Sequence, residues 1–539
     1  MMRRRICRLL CLFAAILCTA GLAGCSASVQ ETPADSVPIS ETPAQEQISV
    51  LNEYPLTLPW YRNEGFNPYL TANSLTLQLA DLLFEKLVVI DPAGELKYRA
   101  VCAVSTQGTD VILTVDRSFR YADGSNITAG DVAASLEAAC SSQLYKNRFA
   151  HVQRITVSDD TTVTVQLREP DHLFAWLLDI PLMPMGQTAE STPLASGRYT
   201  YSAARDALVP NPMCALAAPF DRIALWEMTG ADALANSLNI GAISLYSSET
   251  EGLANRINSS RQAGYYTNTL VFLGFNSIAY RSWKYLDETG AELWHTEATG
   301  SSPLLADARG RQAVEHLLDV PLLLEKVYYN QGHTATGFLN TVGPEGGSGT
   351  LSATAKPEQT AALLEQLGYV RQLDGYYYKY DPENDEPARL ELRLLVYSGS
   401  SYKRYLAQLI ADALDTAGIY VSVIECDSME NYRQKLSLLD FDMYIGEIKL
   451  YNNMDMSAFL QENGAANAGI TVSDALVQTY AAWRAGEVPA AALEQALAAE
   501  MPWAPLLWRS GTLYYAKALE GFTPSASSVF YGMEQLRLS

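Results

Sequence analysis

The sequence has few basic residues, and outside its first 25 residues it has no long uncharged apolar run. Lys and Arg number 38 against 60 Asp and Glu, which gives a net charge of −22. Binding to a phosphate backbone needs a basic surface, so this balance argues against a nucleic-acid partner. The short apolar run excludes a polytopic membrane protein. With 539 residues, 48% of them hydrophobic and 18% charged, the chain is expected to fold into several globular units.

The sequence also lacks metal-binding and catalytic motifs. It has no H-E-x-x-H, C-x-x-C, P-loop, G-x-G-x-x-G or G-x-S-x-G pattern. Ser400 and Lys403 fit S-x-x-K, but the S-D-N and K-T-G motifs that accompany a serine nucleophile are missing. We therefore predict no metal, no cofactor and no enzymatic activity. The histidines, which we expect to be structural or at the surface, are His151, His172, His295, His316 and His333.

The first 25 residues have the layout of a secretory signal. Four arginines at positions 3, 4, 5 and 8 precede an uncharged stretch over 9–22, which ends in Leu22-Ala23-Gly24-Cys25. The ending resembles the lipobox of bacterial lipoproteins, so we predict removal of 1–24 and lipidation of Cys25. The alternative is an ordinary signal peptide with a fortuitous cysteine. Loss of four arginines and no acid would change the net charge from −22 to −26.

Residues 25–47 are rich in Ser, Thr, Pro, Glu and Gln and poor in apolar side chains, so we predict a flexible tether. The four cysteines beyond it are widely spaced, and their sequence allows either disulfide pairing or buried free thiols. They are Cys102, Cys140, Cys214 and Cys426.

From about residue 48 the pattern alternates β-rich runs with amphipathic stretches, which predicts an α/β fold. The clearest stretch predicts strands at 390–397, 420–425 and 441–446 with helices at 402–417 and 429–439 between them. Such alternation implies parallel strands, whose carboxyl ends form the usual ligand site. The loop after Gly446 is therefore a candidate site. Farther upstream we predict a helix at 74–87 and antiparallel strands at 111–115, 155–157 and 163–167, with a helix at 128–140.

Several short motifs resemble, in order and spacing, those of the family 5 extracellular solute-binding proteins. These are the oligopeptide-, dipeptide- and nickel-binding lipoproteins of ABC importers, and the resemblance covers about residues 48–539. The turn at 195–199 departs from the family's G-T-G-P-Y at Ser196 and Arg198. The motifs are NPY at 67–69, LFEKL at 83–87, FRYADG at 119–124, TAGDV at 128–132, ASGRY at 195–199, FN at 275–276, DARGRQA at 307–313, GIYV at 418–421 and APL at 504–506.

The resemblance implies a two-lobed periplasmic-binding-protein-like fold of type II, in its large three-subdomain form. It places the main part of lobe I at 48–85, 197–272 and 505–539, an inserted subdomain at 86–196, and lobe II at 273–504. Crossings near Phe275 and Ala504 would form a hinge about which the lobes close on a ligand.

The implied function is that of a membrane-anchored, extracytoplasmic substrate-binding protein of an ABC transporter, on the cell surface or in the periplasm. It would capture peptides or similar small solutes between its lobes as a monomer and deliver them to a permease. One alternative is a peptide sensor or scavenger of the same fold without a transporter, and another is an exported enzyme.

The resemblance also implies where ligand contacts lie. Peptide binders of the family carry an aspartate about four residues past the glycine at 446, and this chain has Leu450 there. We expect Glu447 to hold a peptide ammonium and Lys449 a carboxylate, unless both only solvate the loop. A shift of about two residues would instead match Asp455 to a later family aspartate and put Asn452 at the anchoring position. The remaining expected contacts are Thr71, Ala72, Asn73, Ser74 and Gly446.

Aromatic side chains are the second clue to the site, because ligand pockets combine apolar walls with a few polar groups. Tyr451 is the last residue of the candidate loop, and Trp508 lies on the predicted return strand near the hinge. Both are candidates for the pocket wall, although packing in the core is the more common fate of a tryptophan on such a strand.

Overall fold

The computed structural model describes residues 56–230, 233–249, 260–288, 290–347, 349–382, 384–462 and 464–539. The predicted signal, Cys25 and the tether lie outside these residues. No helix in the described ranges combines the length and the apolar character needed to cross a bilayer. The cysteines at 102, 140, 214 and 426 are free thiols, and of these only Cys426 is buried.

Strands and helices alternate along the described chain. The strands, β1 to β24 in chain order, are Leu56–Trp60, Val88–Ile90, Leu96–Tyr98, Val101–Gln107, Asp110–Val115, Val152–Asp159, Thr162–Leu167, Tyr199–Ser202, Ala207–Pro210, Ile223–Glu227, Leu245–Ser248, Ser260–Phe275, Tyr280–Leu286, Glu292–Ala298, Gly332–Thr334, Val370–Arg371, Tyr377–Asp381, Glu386–Arg389, Glu391–Tyr397, Tyr420–Cys426, Met443–Lys449, Trp503–Ala516, Leu519–Glu520 and Arg537–Leu538. The helices, α1 to α12, are Ser74–Leu83, Ala129–Ser141, Leu234–Asn239, Pro303–Ala306, Ala308–Glu315, Val320–Tyr328, Pro357–Gln366, Ser401–Ala417, Met429–Leu438, Ser457–Leu460, Asp474–Arg484 and Ala490–Glu500. Short 3-10 turns lie at Arg62–Glu64, Phe174–Leu177 and Met533–Gln535.

The predicted α/β alternation is confirmed. Strand β19 pairs in parallel with β20 on one side and β21 on the other, and α8 and α9 connect them. Helix α8 begins after Ser400, whose side chain accepts from the Lys403 amide, so the S-x-x-K match is a helix cap. The helix ends at Gly418, whose φ of 96° favours glycine.

The predicted antiparallel strands are also confirmed, in the sheet β4-β5-β7-β6. The helix beside them, α2, begins with a capping box in which the Thr128 and Asp131 side chains bind each other's backbone amides. Helix α1 is shorter than predicted, because the chain turns extended at Phe84. The turn at 195–199 packs against this point: a Cβ on Gly197 would lie 2.7 Å from the Leu82 carbonyl oxygen.

The described chain contains two large hydrophobic cores joined by one sheet. The first core takes its residues from 56–265 and 513–536, and the second from 270–508 together with Leu173. The joining sheet has the order β11-β22-β12-β21-β19-β20, and its long antiparallel strands β12 and β22 belong to both cores. Their pairing shifts register between Tyr266 and Thr269, where the chain passes from one core to the other. The predicted lobe boundaries stay a prediction, but this crossing lies close to the predicted hinge.

Candidate functional site

A cavity of about 890 Å³ lies where the carboxyl end of β21 faces α1 and the segments around Tyr145 and Asp179. Its walls come mainly from the first-core side of the molecule, and Lys449 at the end of β21 reaches it from the second. Its polar lining residues include Ser74, Gln78, Asp81, Lys86, Tyr145, Arg148, Asp179, Ser247, Glu249, Tyr265, Lys449, Ser525, Ser527 and Ser528. The volume is within the range of small-molecule sites, but the lining is unusually rich in charge.

The charges of the cavity wall are arranged in acid–base pairs. They are Asp81 with Lys86, at 2.6 Å; Asp179 with Arg148; and Glu249 with Lys449, at 2.6 Å. The first two pairs are nearly buried, whereas Lys449 and Glu249 lie at the more exposed end of the cavity. A charged solute that enters therefore meets groups of both signs, held in place before it arrives.

Burial dominates the titration of the inner groups. It raises the pKa of Asp81 above its ordinary value, although Lys86 and hydrogen bonds from Ser528 and Val529 act in the opposite direction. Burial also lowers the pKa of Arg148 to about 10, so the guanidinium still carries its charge at neutral pH. Its central carbon lies 5.5 Å from the centre of the Phe149 ring.

The segment over 71–74 serves mainly to start α1. Thr71 donates to Glu64 at 2.7 Å, and Asn73 caps the helix by accepting from the Leu75 amide at 2.8 Å. Of the four predicted contacts in this segment, Ser74 lines the cavity. Ala72 is exposed.

The prediction that a loop begins directly after Gly446 was wrong, because β21 continues to Lys449. Its residues pair with β12, from Phe272 opposite Gly446 to Thr269 opposite Lys449. Glycine leaves room here for the Phe272 ring, since a Cβ on Gly446 would lie 2.2 Å from that ring. The antiparallel neighbour β12 thus keeps the strand extended for three residues more than the sequence pattern indicates.

Glu447 lies between two cations. One carboxylate oxygen accepts from Arg509 at 2.6 Å, and the other is 2.9 Å from the Lys403 ammonium. Burial raises the pKa of Glu447, but the two cations together outweigh it and leave the pKa lowered. The role of Glu447 as the ammonium anchor stays a prediction, and a ligand ammonium there would have to displace one of these cations.

Asn452, at the alternative anchoring position, reaches across to the first-core side. Its side-chain NH2 group donates to Asp179 at 3.3 Å, and its oxygen accepts from Asn268 at 3.0 Å. Asn452 also borders a second, much smaller space of about 30 Å³, enough for one water, between Trp176 and Tyr266. Tyr451, the preceding residue, is exposed, and its place in a ligand site stays a prediction.

Two other predicted site residues, Asp455 and Trp508, already make contacts within the protein. Asp455 accepts from the Ser457 amide at 2.8 Å and from the Tyr480 hydroxyl at 2.7 Å. The prediction that Trp508 lines a pocket was wrong, because its side chain is fully buried in the second core. Strand β22 lies between β12 and β15 at this point, and its residues 503–508 are all buried.

A second contact between the two sides lies apart from the cavity, and we call it the clasp. Asp171, on the first-core side, binds Arg484 at 2.5 Å and accepts from Asn453 at 2.8 Å. Next to it, His172 lies 2.9 Å from Glu345, which also accepts from the Trp483 ring nitrogen. The following residue, Leu173, packs in the second core. The clasp consists of Asp171, His172, Leu173, Glu345, Asn453 and Arg484.

Sequence reasoning missed most of the charged cavity residues, which are far apart in the chain. The one local signal is an acid inside an apolar stretch, as with Asp81 in LQLADLLF and Asp179 in WLLDIPL. Burying a carboxylate is unfavourable unless it is paired, so such positions point to a partner elsewhere. No local signal identifies the partners Lys86 and Arg148. Among the described residues, no cluster of three or more His, Cys, Asp or Glu side chains is suited to hold a metal ion.

The family model for the bacterial extracellular solute-binding proteins, family 5, matches residues 98–469. The chain belongs to this family. The match covers more than half of the sequence and includes the cavity residues Arg148, Asp179 and Lys449. No curated protein sequence matches the chain.

Several solved structures of substrate-binding proteins are similar in fold to this chain. An ABC transporter substrate-binding protein from Sinorhizobium meliloti has a TM-score of 0.70 at 18% identity, over 90% of this chain and 100% of the other. A nickel ABC transporter protein from Bacillus halodurans has a TM-score of 0.69 at 16% identity, over 88% and 98%. The oligopeptide-binding protein AppA from Bacillus subtilis, in complex with a nonapeptide, has a TM-score of 0.54 at 14% identity, over 90% and 99%. At these identities the likeness shows that this family 5 protein shares their fold.

Proposed function

We propose that this family 5 protein is the substrate-binding component of an ABC importer and that it captures a short peptide or a similar small charged solute. The observation that carries the proposal is the charged cavity between α1 and the end of β21, with acids and bases already placed on its walls. A peptide carries one ammonium and one carboxylate, which match walls of both signs. The nonapeptide complex of AppA supports this class of ligand.

Asp179 is the carboxylate that we assign to the ligand ammonium. A carboxylate offers about four acceptor positions, and Asp179 faces one cation, Arg148, and one weak donor, Asn452. Glu447, in contrast, has a cation at each oxygen. Asp179 also lines the cavity and is reached by Asn452, the residue that a two-residue shift of the match would put at the family's anchoring position. We assign the carboxylate of the peptide to Lys449, the cation at the more exposed end of the cavity.

Closure of the cavity is assigned to the two long strands that cross between the cores. A change in backbone angles near the register shift at Tyr266–Thr269 would move one core against the other without repacking either. Lys449 would then approach the wall formed by Asp81, Arg148 and Asp179.

The test begins with the solute that co-purifies with the protein, identified by mass spectrometry. Calorimetry then measures that peptide and its N-acetylated form on wild type, Asp179→Asn and Glu447→Gln. Truncating one partner of a desolvated charge pair costs about 2–5 kcal/mol, so wild type should prefer the free amine by roughly 30- to several-thousand-fold. Asp179→Asn should lose this preference, and Glu447→Gln should keep it.

Comparing the two ligands within each variant cancels any general weakening caused by leaving Arg148 unpaired. If Glu447→Gln lost the preference for the free amine and Asp179→Asn kept it, Glu447 would be the residue that binds the ammonium. A co-purifying solute without an ammonium group would contradict the peptide assignment itself.

We also propose that Cys25 carries the membrane anchor. A single acyl chain binds membranes weakly whereas two bind stably, so Cys25→Ser should shift the protein from the membrane fraction to the soluble one. Unchanged membrane retention and lipid labelling of this variant would contradict the anchor and leave the cavity assignment untouched.

A further inference from the structure

A hairpin of strands β13 and β14 stands out from the second-core side with both faces exposed to solvent. Nearly every residue of Tyr280–Leu286 and Glu292–Ala298 is exposed. Three of its large apolar side chains, Tyr280, Leu286 and Trp294, are each about two-thirds exposed. Six large apolar side chains in so short a segment form an unusual surface for a water-facing element, and they are Tyr280, Trp283, Tyr285, Leu286, Leu293 and Trp294.

The base of the hairpin is firmly held. The Thr299 hydroxyl donates to the Ile278 carbonyl, and the Thr299 amide donates to the Ala279 carbonyl at 2.9 Å. The Ser302 amide on the far side donates to the buried Asp442 carboxylate at 2.7 Å. The hairpin is therefore presented in a fixed direction.

The strand edges of the hairpin are bare in the described part of the chain, where β13 pairs with β14 and neither has a further neighbour. An isolated two-stranded hairpin is marginally stable in water, and additional strands are what usually stabilise it. Proteins protect such edges with charged side chains, proline or a bulge. β13 is a regular seven-residue strand without proline or a bulge, and its two cations, Arg281 and Lys284, are each paired with an acid of β14.

We propose that the β13 edge pairs with β13 of a second copy of this chain, in an antiparallel four-stranded sheet centred on Trp283. This departs from the expected monomer. A two-fold axis at Trp283 places this residue opposite its own copy, Arg281 opposite Tyr285, and Ser282 opposite Lys284. Tyr280 then lies opposite Leu286. The contact is isologous, so it closes at a dimer.

The register places no like charges directly opposite each other. Each cation of β13 meets an aromatic or neutral side chain of the other copy and keeps the acid it already binds on β14: Arg281 with Glu297, and Lys284 with Glu292. Aromatic pairs and a guanidinium over an aromatic ring are favourable across strands. The antiparallel arrangement also brings the acidic tip of one hairpin, at Asp287, to the base of the other, near Arg281.

The two other pairings of the hairpin fit less well. Self-pairing of β14 places His295 opposite His295 and each Glu297 opposite the apolar Leu293. Pairing of β13 with β14 of another copy is heterologous and leads to an open chain of molecules. A bilayer as the partner is disfavoured because the hairpin carries four acids against two bases and has two of these acids, Asp287 and Glu288, at its tip.

Sedimentation equilibrium of the purified full chain over a wide range of concentration tests the dimer. Ser282→Lys places a lysine opposite Lys284 twice in each dimer. Directly opposed like charges cost about 0.2–1 kcal/mol per pair, so dimerisation should weaken on the order of 2- to 30-fold. Ser282→Glu should strengthen it. Thr296→Lys is the matched control, because Thr296 shares the hydrogen bond with Ser282 at 2.7 Å but lies on the other strand.

Disulfide trapping gives a second readout that does not depend on stability. Residues directly opposite in antiparallel strands have Cα atoms within the range of a disulfide, so Trp283→Cys should form a covalent dimer in a Cys102→Ser background. The control His295→Cys, opposite Trp283 on the other edge, should not.

A chain that stays monomeric at every concentration, or trapping through His295→Cys in place of Trp283→Cys, would overturn the proposal. Equal weakening by Ser282→Lys and Thr296→Lys would also overturn it. Hairpin-dependent binding of a monomer to phosphatidylglycerol vesicles would assign the surface to lipid.

Discussion

The cavity and the clasp are two contacts between the same two sides of the molecule, and they are built differently. In the clasp, Asp171 and Arg484 are nearly buried and bind each other, and Leu173 extends the second core across the boundary. The cavity keeps about 890 Å³ of open space between charged pairs. The clasp therefore fills the contact between the two sides with protein groups, whereas the cavity leaves space there, in which we propose that a solute binds.

The largest effect should come from breaking the clasp. Asp171→Ala leaves Arg484 buried without its carboxylate, and removing one partner of a buried ion pair costs about 3–5 kcal/mol. Urea denaturation measures the free energy of unfolding. Lys326→Met, which removes the exposed pair with Glu325, is the control and should change it by less than about 1 kcal/mol. Equal effects of the two variants would show that the clasp adds no stability.

The apolar part of the clasp should give the next effect. Leu173 is 2% exposed, and Leu→Ala at a buried site costs about 2–5 kcal/mol. The exposed Leu322 serves as the control, and its replacement by Ala should change the free energy of unfolding by about 0.5 kcal/mol or less. A small effect of Leu173→Ala would mean that the first-core side contributes nothing to the second core.

The pH dependence of stability should have opposite signs in the two regions. Burial raises the pKa of Asp455, beside the clasp, but Arg484 and hydrogen bonds from Ser457 and Tyr480 outweigh it and leave the pKa below 3.8. Its contribution to stability is thus present above pH 3.8 and is lost as the pH falls through the folded-state pKa. For Asp81, in the cavity, burial leaves the pKa raised. Its contribution is present below 3.8 and is lost as the pH rises through the folded-state pKa.

Unfolding measured between pH 3 and 7 tests this contrast. The stability advantage of wild type over Asp455→Asn should shrink on acidification, and that over Asp81→Asn should grow. Parallel trends for the two variants would contradict the assigned environments.

The smallest effect on stability is expected at the exposed end of the cavity. Lys449 and Glu249 form a well-exposed pair, so Lys449→Gln should change the free energy of unfolding by less than about 1 kcal/mol. Peptide binding should respond more strongly, because we assign Lys449 to the ligand carboxylate. Calorimetry with the free and the C-terminally amidated peptide should show that the variant no longer distinguishes them. An unchanged preference for the free carboxylate would remove Lys449 from the site.

The sequence predicts the local architecture better than it predicts the site. The parallel strands β19, β20 and β21 and the cap at Ser400 follow from periodicity and short-range chemistry. The end of β21 does not, because pairing with β12, almost two hundred residues away, decides where the strand stops. The burial of Trp508 depends on β12 and β15 in the same way.

The site itself is assembled from residues that no local pattern connects. Asp179 and Arg148 meet within the first-core side, and Asn452 reaches Asp179 only because the two sides fold against each other. The acid within WLLDIPL indicated a buried charge but not its partner. Glu447 was a reasonable candidate by position, and only the structure shows that Arg509 and Lys403 already bind it.

Hydrogen–deuterium exchange with and without the co-purifying solute tests the central claim most directly. If the solute binds in the cavity and the clasp is complete without it, protection should increase in peptides around Tyr145–Arg148, Asp179 and Lys449. Peptides over 171–173 and 480–484, in the clasp, should exchange at the same rate in both states. Protection limited to one side of the cavity, or a change in the clasp as large as that in the cavity, would contradict the account.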